Sequence, residues 1–521
     1  MKNSNSFDNP IGAFFTPLQW AKWVVNKYNL YEKWLNGAII FDPTAGEGVF
    51  LEVFIQKAVK ENNKEIDALI SNLYGNEREP HFVKRFLSKM KRKYDVSFPI
   101  ENFTNEDILF CQKEIQADIV VGNPPWMNFN DLPNFYKEKI KPLFFKYGLV
   151  SNSQKLLLGS SRIDIAALII SKAIKDNLKQ NGVAYFFAPL SIFLNDGAHQ
   201  SFREYSIYDT TFFVKEIYDF ADNKIFDNVS TRYCMTQFIR DSHQKFPVNY
   251  FVFENKKFKH YFAKPVFNKT DPLTIYQEKD DLDSISNFKK IQLPKSSKPR
   301  QGVNSCGANS VFIFDKLEKN DNSLVRVCNK QVSAILPKQF LFPLIVKNNF
   351  NQQTPHPEKW ILIPYDTISG KPIPLHSLQE HKFLYEYLLA NKEILTKRKG
   401  ILIQSWIKKG FWWALLGVGS YSFKPIKICW ESYGKKNYNP KIYYSQNGFA
   451  WQGNQAMHAY IPLSEKSFAT DILAELRNPI IEMYLKSHRM EGTCNWAQPG
   501  KISKLIEFDN LTNQETLSFG P

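Results

Sequence analysis

The sequence predicts an α/β first half, with a mostly parallel sheet between helices, followed by a separate mixed α+β unit. Three observations carry this expectation. Short apolar runs at residues 38–42, 73–77 and 118–121 each end in a polar or glycine-rich turn, with helix-period stretches between them, as in repeated βαβ units. Residues 1–240 hold 29 Lys and Arg against 27 Asp and Glu, whereas residues 241–521 hold 38 against 24, so nearly all of the formal net charge of +16 lies in the second half. Between these parts, residues 256–302 are rich in Lys, Asp, Ser and Pro. The expected organisation is a chemistry-bearing domain at 1–255, an exposed connection at 256–302 and a polyanion-binding domain at 303–521.

Composition excludes several classes. A 43% hydrophobic share at mean hydropathy −0.36 suits a globular chain with ample core. The longest apolar candidate, Ile163 to Ile174, is interrupted by Asp164, Ser171 and Lys172, so no membrane span is expected. The N-terminus lacks an export pattern, and the six cysteines (111, 234, 306, 328, 429 and 494) show no Cys-x-x-Cys spacing. Free thiols in a reducing cytoplasm, with neither disulfides nor a metal site, are expected.

In chain order, Thr16 reads as an N-cap and Pro17 as the first residue of a helix through Trp20, Val24 and Leu30. The strand at 38–42 feeds Asp42-Pro43-Thr44-Ala45-Gly46-Glu47-Gly48 and then a helix from Val49. Strand, glycine loop and helix let bare backbone approach a nucleotide-like ligand, although two glycines after an Asp are not the dinucleotide fingerprint. An acid at the strand end suits a ligand with a cationic amino-acid tail. The second strand closes on Glu77, where α/β sites hold a ribose, although Glu77-Arg78-Glu79 is also an ordinary charged surface run. Lys84 to Lys93 reads as a solvated helix face. A weak strand at 98–103 leads to Asp107, an acceptor suited to an amino group.

The next strand, Ile119 to Val121, delivers Gly122-Asn123-Pro124-Pro125-Trp126. Two prolines stiffen the turn and remove two donors, so an Asn oxygen beside a Pro carbonyl forms a pair of acceptors. Such a pair suits an exocyclic –NH2 and, by holding both hydrogens out of plane, localises the nitrogen lone pair for attack on an electrophile. Trp126 offers a plate for a nucleobase. Taken alone, Asn-Pro-Pro is equally an ordinary strand-ending turn.

The set Phe15-Thr16-Pro17, Asp42 to Gly48, Glu77, Asp107 and Asn123-Pro124-Pro125-Trp126 resembles the N6-adenine amino-methyltransferases of bacterial DNA restriction-modification, over residues 11–240. That resemblance implies a Rossmann-like S-adenosylmethionine domain followed by a DNA-recognition domain. It implies cofactor contacts from Thr16-Pro17, Asp42-Pro43, Ala45, Gly46, Gly48, Glu77, Asp107 and Asn123. Catalytic roles fall to Asn123, Pro124, Pro125 and Trp126. Lys224 to Thr231 resembles the motif whose aromatic residue meets the extruded base, which makes that residue Phe226; core packing is its other reading. The sequence departs from the family in having Trp126 where Tyr or Phe is commoner, and Arg78 directly after the acid.

Asp164 to Ile174 reads as a helix and 182–189 as a further strand. In the second half, Trp360, Trp406, Trp412, Trp413, Trp430, Trp451 and Trp496 interleave with Lys397, Arg398, Lys399, Lys408, Lys409, Lys435 and Lys436. Basic residues among aromatics suit phosphates and unstacked bases, though many of these tryptophans must be core. Asn478 to Lys486 and Thr493 to Lys504 resemble a closing helix and loop.

The expected activity is therefore methyl transfer to adenine N6 in duplex DNA with base extrusion. Double-stranded DNA is the expected partner, beside a separate restriction endonuclease, for a cytoplasmic, nucleoid-associated monomer. Other –NH2 acceptors (cytosine N4, RNA adenine, a glutamine amide) are alternatives, as is a non-catalytic DNA-binding subunit. No Asp…(Asp/Glu)-x-Lys arrangement stands out and little sequence precedes residue 11, which argues against a fused nuclease.

Overall fold

The computed structural model describes residues 14–150, 163–221, 223–226, 229, 231–319, 323–347, 350, 356–434, 438–488 and 496–509. The chain forms two compact units that divide at Leu282 and Asp283.

The first unit is built on one sheet. Its strands are β1 (Ile40–Asp42), β2 (Leu73–Asn76), β3 (Phe103–Thr104), β4 (Ala117–Gly122), β5 (Leu178–Pro189), β6 (Ser206–Ile207), β7 (Thr210–Asp219), β8 (Tyr233–Arg240), β9 (Val248–Glu254), β10 (Lys257–Lys264) and β11 (Thr274–Tyr276). Their order is β11-β10-β9-β7-β8-β5-β4-β1-β2-β3, with β6 paired to β7. From β3 across to β5 all pairs are parallel; β8 then enters antiparallel between β5 and β7. The strand order reverses between β1 and β4, and the crevice at such a switch point is where open α/β sheets bind ligands. The fold is the Rossmann-like α/β class that the sequence predicts.

Local chemistry explains the elements. The three residues of β1 are all buried, as are five of the six in β4, consistent with a sheet covered on both faces. Helix Val49–Lys60 buries Phe50, Leu51, Val53, Phe54 and Ile55, and is entered from Gly48 at φ +71°. A Cβ on Gly48 would also lie 2.2 Å from the Phe86 ring, so the position requires glycine twice over. Asp164 caps helix Ile165–Lys172 by accepting from the Ala166 N–H at 2.9 Å. Helix Leu18–Lys27 starts one residue later than expected. Pro17, with ψ 140°, is its extended N-cap, and Thr16 makes no side-chain cap.

Residues 256–302 are not a free connection. β10 and β11 extend the first unit's sheet, and Ile291–Pro294 pairs in parallel with Ile506–Asp509 in the second. Their polar composition reflects one-faced strands, with solvent on the other side. In β10 only Tyr261 and Ala263 are buried.

The second unit is mixed α+β, as expected. It contains two four-stranded sheets, a three-stranded antiparallel sheet and the parallel pair, with helices such as Lys382–Ala390, Ile401–Lys408, Lys466–Leu476 and Pro479–Ser487. Trp412, Trp413, Trp430, Trp451 and Trp496 are buried, whereas Trp360 and Trp406 are partly exposed. Lys397, Lys399, Lys408 and Lys409 are exposed. Arg398 is not available to phosphate: it is 4% exposed and donates to the carbonyls of Leu395, Ser305, Ala414 and Trp412. Asn478 caps the closing helix Pro479–Ser487, and Pro499–Ser503 is helical too. Gly12, Ala13, Asp227, Asn228, Ser230, Lys435, Lys436, Thr493 and Cys494 lie outside the described residues. Among the described residues no helix is long and apolar enough to cross a membrane, and no cluster of His, Cys, Asp or Glu could hold a metal ion.

Candidate functional site

A cavity of about 310 Å³ opens at the switch point, lined by Phe14 to Thr16, the loop after β1, the ends of β2 and β3, and the turn after β4. Of the residues singled out in sequence, Thr16, Asp42, Pro43, Ala45, Gly46, Glu77, Asp107, Asn123 and Pro125 line it. Pro17, Gly48, Pro124, Trp126 and Phe226 do not; Gly48 sets the loop's path from behind.

The acids are held by backbone. Asp42 is 1% exposed, and its Oδ1 accepts the Thr44 N–H at 3.1 Å. Burial pushes its carboxyl up to about 8, with the Glu77 carboxylate adding to the rise. β4 passes so close that a Cβ on Gly122 would lie 2.9 Å from Asp42 Oδ1. Glu77 accepts the Gly46 N–H at 2.9 Å through one oxygen and the Glu79 N–H at 2.8 Å through the other. Its carboxyl is also raised by burial, against the pull of those two bonds. Asp107 accepts from the Leu109 N–H at 3.0 Å and the Tyr136 O–H at 2.7 Å. Each carboxylate oxygen keeps a second lone pair for a ligand.

The amide of Asn123 has one orientation. Its Nδ2 donates to the Phe14 carbonyl at 2.7 Å, and Oδ1 is buried without a partner. A buried acceptor left unmade is costly, and in a residue that lines a cavity it marks a place where a donor would be favourable.

Trp126 is not an open plate. It is 5% exposed, stacked at 28° on Tyr233 with centroids 5.4 Å apart, edge-on to Phe226 at 5.0 Å and 5.5 Å from Phe14. Phe226, 3% exposed, also packs on Phe187 and Tyr233. The two rings touch, so this conformation leaves no gap between them for a base. Apolar burial closes the pair onto itself, and the core reading of Phe226 describes its position here.

Three side chains carry site structure that sequence did not flag. Asn76, buried at the end of β2, donates to the carbonyls of Pro43 and Glu106, both at 3.1 Å, and accepts from Thr104 Oγ1 at 2.7 Å. Glu52, on the first turn after the glycine loop, accepts from Lys89, from Tyr94 at 2.8 Å and from Lys93 at 3.2 Å. The basic helix Pro80–Tyr94 is thus only partly a solvated face. Tyr136 sits in the loop-to-helix segment after the Asn-Pro-Pro turn. Asn76 precedes the flagged acid directly; Glu52 and Tyr136 give no local signal.

A Rossmann-like sheet, a glycine loop between buried acids and an amide acceptor at the fourth strand end define the class of S-adenosylmethionine-dependent methyltransferases. The cavity fits that cofactor in kind: three carboxyl groups suit a cationic ligand, and the lining residue Asn123 carries a buried acceptor without a partner. Residues 27–226 match the Eco57I restriction-modification methylase family. The chain is 23% identical over 511 residues to the type II methyltransferase M.NspV of Nostoc sp., covering 92% of this chain and 96% of that protein. It is 25% identical over 231 residues to the type II methyltransferase M.HincII of Haemophilus influenzae, covering 44% of this chain and 37% of that protein. Among solved structures, the type IIL restriction-modification enzyme MmeI in complex with DNA shares the fold at a TM-score of 0.55 and 13% identity. That match spans 92% of this chain and 64% of the MmeI chain.

Proposed function

We propose that this methyltransferase modifies adenine N6 in a specific duplex DNA sequence, as the modification component of a restriction-modification system. The observation that carries the reading is the Asn123 amide, which lines the cavity: one Nδ2–H is tied to the Phe14 carbonyl, and Oδ1 is a buried acceptor without a partner. An –NH2 group supplies the missing donor, and the Pro124 carbonyl is the second acceptor. When bound, S-adenosylmethionine supplies an electrophilic methyl group on a sulfonium centre. Asp42, Glu77 and Asp107 hold the cofactor's amino-acid tail, ribose and adenine in turn, with Thr16 beside the tail. Asn123 orients the target amine so that its lone pair points along the transfer line, and acceleration comes from that positioning. The methylated amine is acidic enough to lose its proton to water, so no general base is required.

The target base leaves the stack, because its amine is otherwise paired. The Trp126–Phe226 edge contact opens on entry, and the base takes the place of one ring against the other. The second half of the chain, with its excess of 14 positive charges, binds the duplex and reads the sequence. A separate endonuclease cuts the unmodified site, and the enzyme acts as a monomer on nucleoid DNA in the cytoplasm; the type II methyltransferase names of the relatives support the modification role alone. The test is to incubate the protein with duplex DNA and methyl-labelled cofactor, digest to nucleosides and identify the product. N6-methyladenine supports the reading, N4-methylcytosine moves the substrate to the neighbouring class, and no labelled nucleoside rejects it.

A further inference from the structure

We propose that Tyr136 is a positioning residue that makes the cofactor cavity select a 6-aminopurine nucleoside over a 6-oxopurine one. The inference rests on the reading of Asp107 as the acceptor for the cofactor's purine. Asp107 is held from two sides, by the Leu109 N–H on Oδ1 at 3.0 Å and by the Tyr136 O–H on Oδ2 at 2.7 Å. Tyr136 is 7% exposed and stands on the first turn of helix Asn134–Lys146, reached from the Asn-Pro-Pro turn through Leu132. Tyr136, Leu132, Ile108 and Pro125 line the same cavity as Asp107, an apolar wall suited to a flat heterocycle. Burial, with the Asp107 charge beside it, pushes the phenol far above its ordinary range, so Tyr136 is a permanent donor.

The consequence is geometric. A 6-amino group donates to the carboxylate directly. A 6-oxo group repels it, and such a purine offers a donor only at the adjacent ring N–H. A freely rotating carboxylate could swing to that N–H and accept either nucleoside. Two donors from different segments fix its plane, so Asp107 cannot follow. Tyr136 thereby converts a generic acceptor into a discriminating one.

The test is equilibrium binding of S-adenosylhomocysteine and S-inosylhomocysteine to the full chain. Wild type is expected to prefer the amino compound by about 100-fold, the order expected when a hydrogen bond to a charged group is lost and replaced by repulsion. Tyr136→Phe is expected to narrow that ratio about tenfold, chiefly by improving relative binding of the oxo compound. Tyr136→Gln, which keeps a donor, holds the ratio nearer wild type. Leu132→Ala, which alters packing without touching Asp107, lowers both affinities and leaves the ratio within about twofold. An unchanged ratio in Tyr136→Phe, or equal affinities in wild type, overturns the proposal while leaving the cofactor reading intact. A Tyr136→Gln ratio as low as that of Tyr136→Phe also counts against it. Failure of wild type to bind either compound rejects the cofactor reading itself and the proposal with it.

Discussion

Asn123 makes two bonds of different purpose, and substitutions can separate them. Replacement by Ala removes the unpartnered Oδ1 and also frees the Phe14 carbonyl from its 2.7 Å partner. Loss of one preorganised polar group at the reacting atoms costs about 10²–10³ in turnover, or ~3–4 kcal/mol. Loss of the neutral tie to Phe14 costs about 0.5–1.5 kcal/mol, and because Phe14 and Thr16 line the cavity, cofactor affinity falls roughly two- to tenfold. Asn123→Asp discriminates further. An ionised carboxylate there would face the Phe14 carbonyl, so the introduced group is held above the ordinary carboxylate range. Only its neutral form can donate to Phe14 and still accept from the amine. Activity of that variant is therefore present below its raised pKa and disappears as pH rises, whereas Asn123→Ala is slow at every pH. The assay is labelled-methyl transfer to duplex DNA between pH 5.5 and 8.5, with S-adenosylhomocysteine affinity measured alongside. Turnover of Asn123→Ala within about threefold of wild type would refute the role of the orphaned oxygen.

Four further outcomes follow from the geometry. Asp42 is mostly protonated at neutral pH in the free protein, with its carboxyl near 8, and a cationic ligand tail favours its ionised form. Binding near pH 7 should thus release protons, and affinity should strengthen as pH rises toward 8; calorimetry in buffers of different ionisation enthalpy checks this. Burial pushes Glu52 up, but the bonds from Lys89, Tyr94 and Lys93 prevail and hold it below its ordinary 4.5. Its contribution to stability is present above that value and is lost as pH falls through the depressed one, so Glu52→Gln should flatten the acid limb of a stability–pH profile. Gly48→Ala should destabilise the first unit by about 2–4 kcal/mol, combining left-handed backbone strain with the collision against Phe86, as read from denaturant melts. DNA binding should weaken steeply with salt, and neutralising exposed Lys397, Lys399, Lys408 and Lys409 together should lower the slope of log affinity against log salt.

The strand ends were legible because each is a change of period: an apolar run stops at Asp42, or one to three residues before Glu77, Asp107 and Asn123, and those four side chains line the crevice. The sheet's far edge was not. One-sided strands such as Lys257–Lys264 need apolar residues at alternate positions only, and their exposed lysines imitate a linker. Nor does sequence say which way a turn's aromatic side chain folds. Trp126 finds Phe14, Phe226 and Tyr233 from distant segments and buries itself against them. Arg398 shows the same blindness in the second unit: a cation between two lysines, yet spent on four carbonyls inside the core. Pairings across long separations, such as Glu52 with Lys89, leave no periodic trace.

Asn76 joins the peptide groups of Pro43 and Glu106 and the hydroxyl of Thr104 through a single amide. Three of the segments that line the crevice, those after the first, second and third strands, therefore share one fastener, and they should loosen or tighten as a single cooperative unit rather than one by one. Amide protons in all three should gain protection from hydrogen exchange together when ligand binds, and Asn76→Ala should let each loop exchange at its own rate.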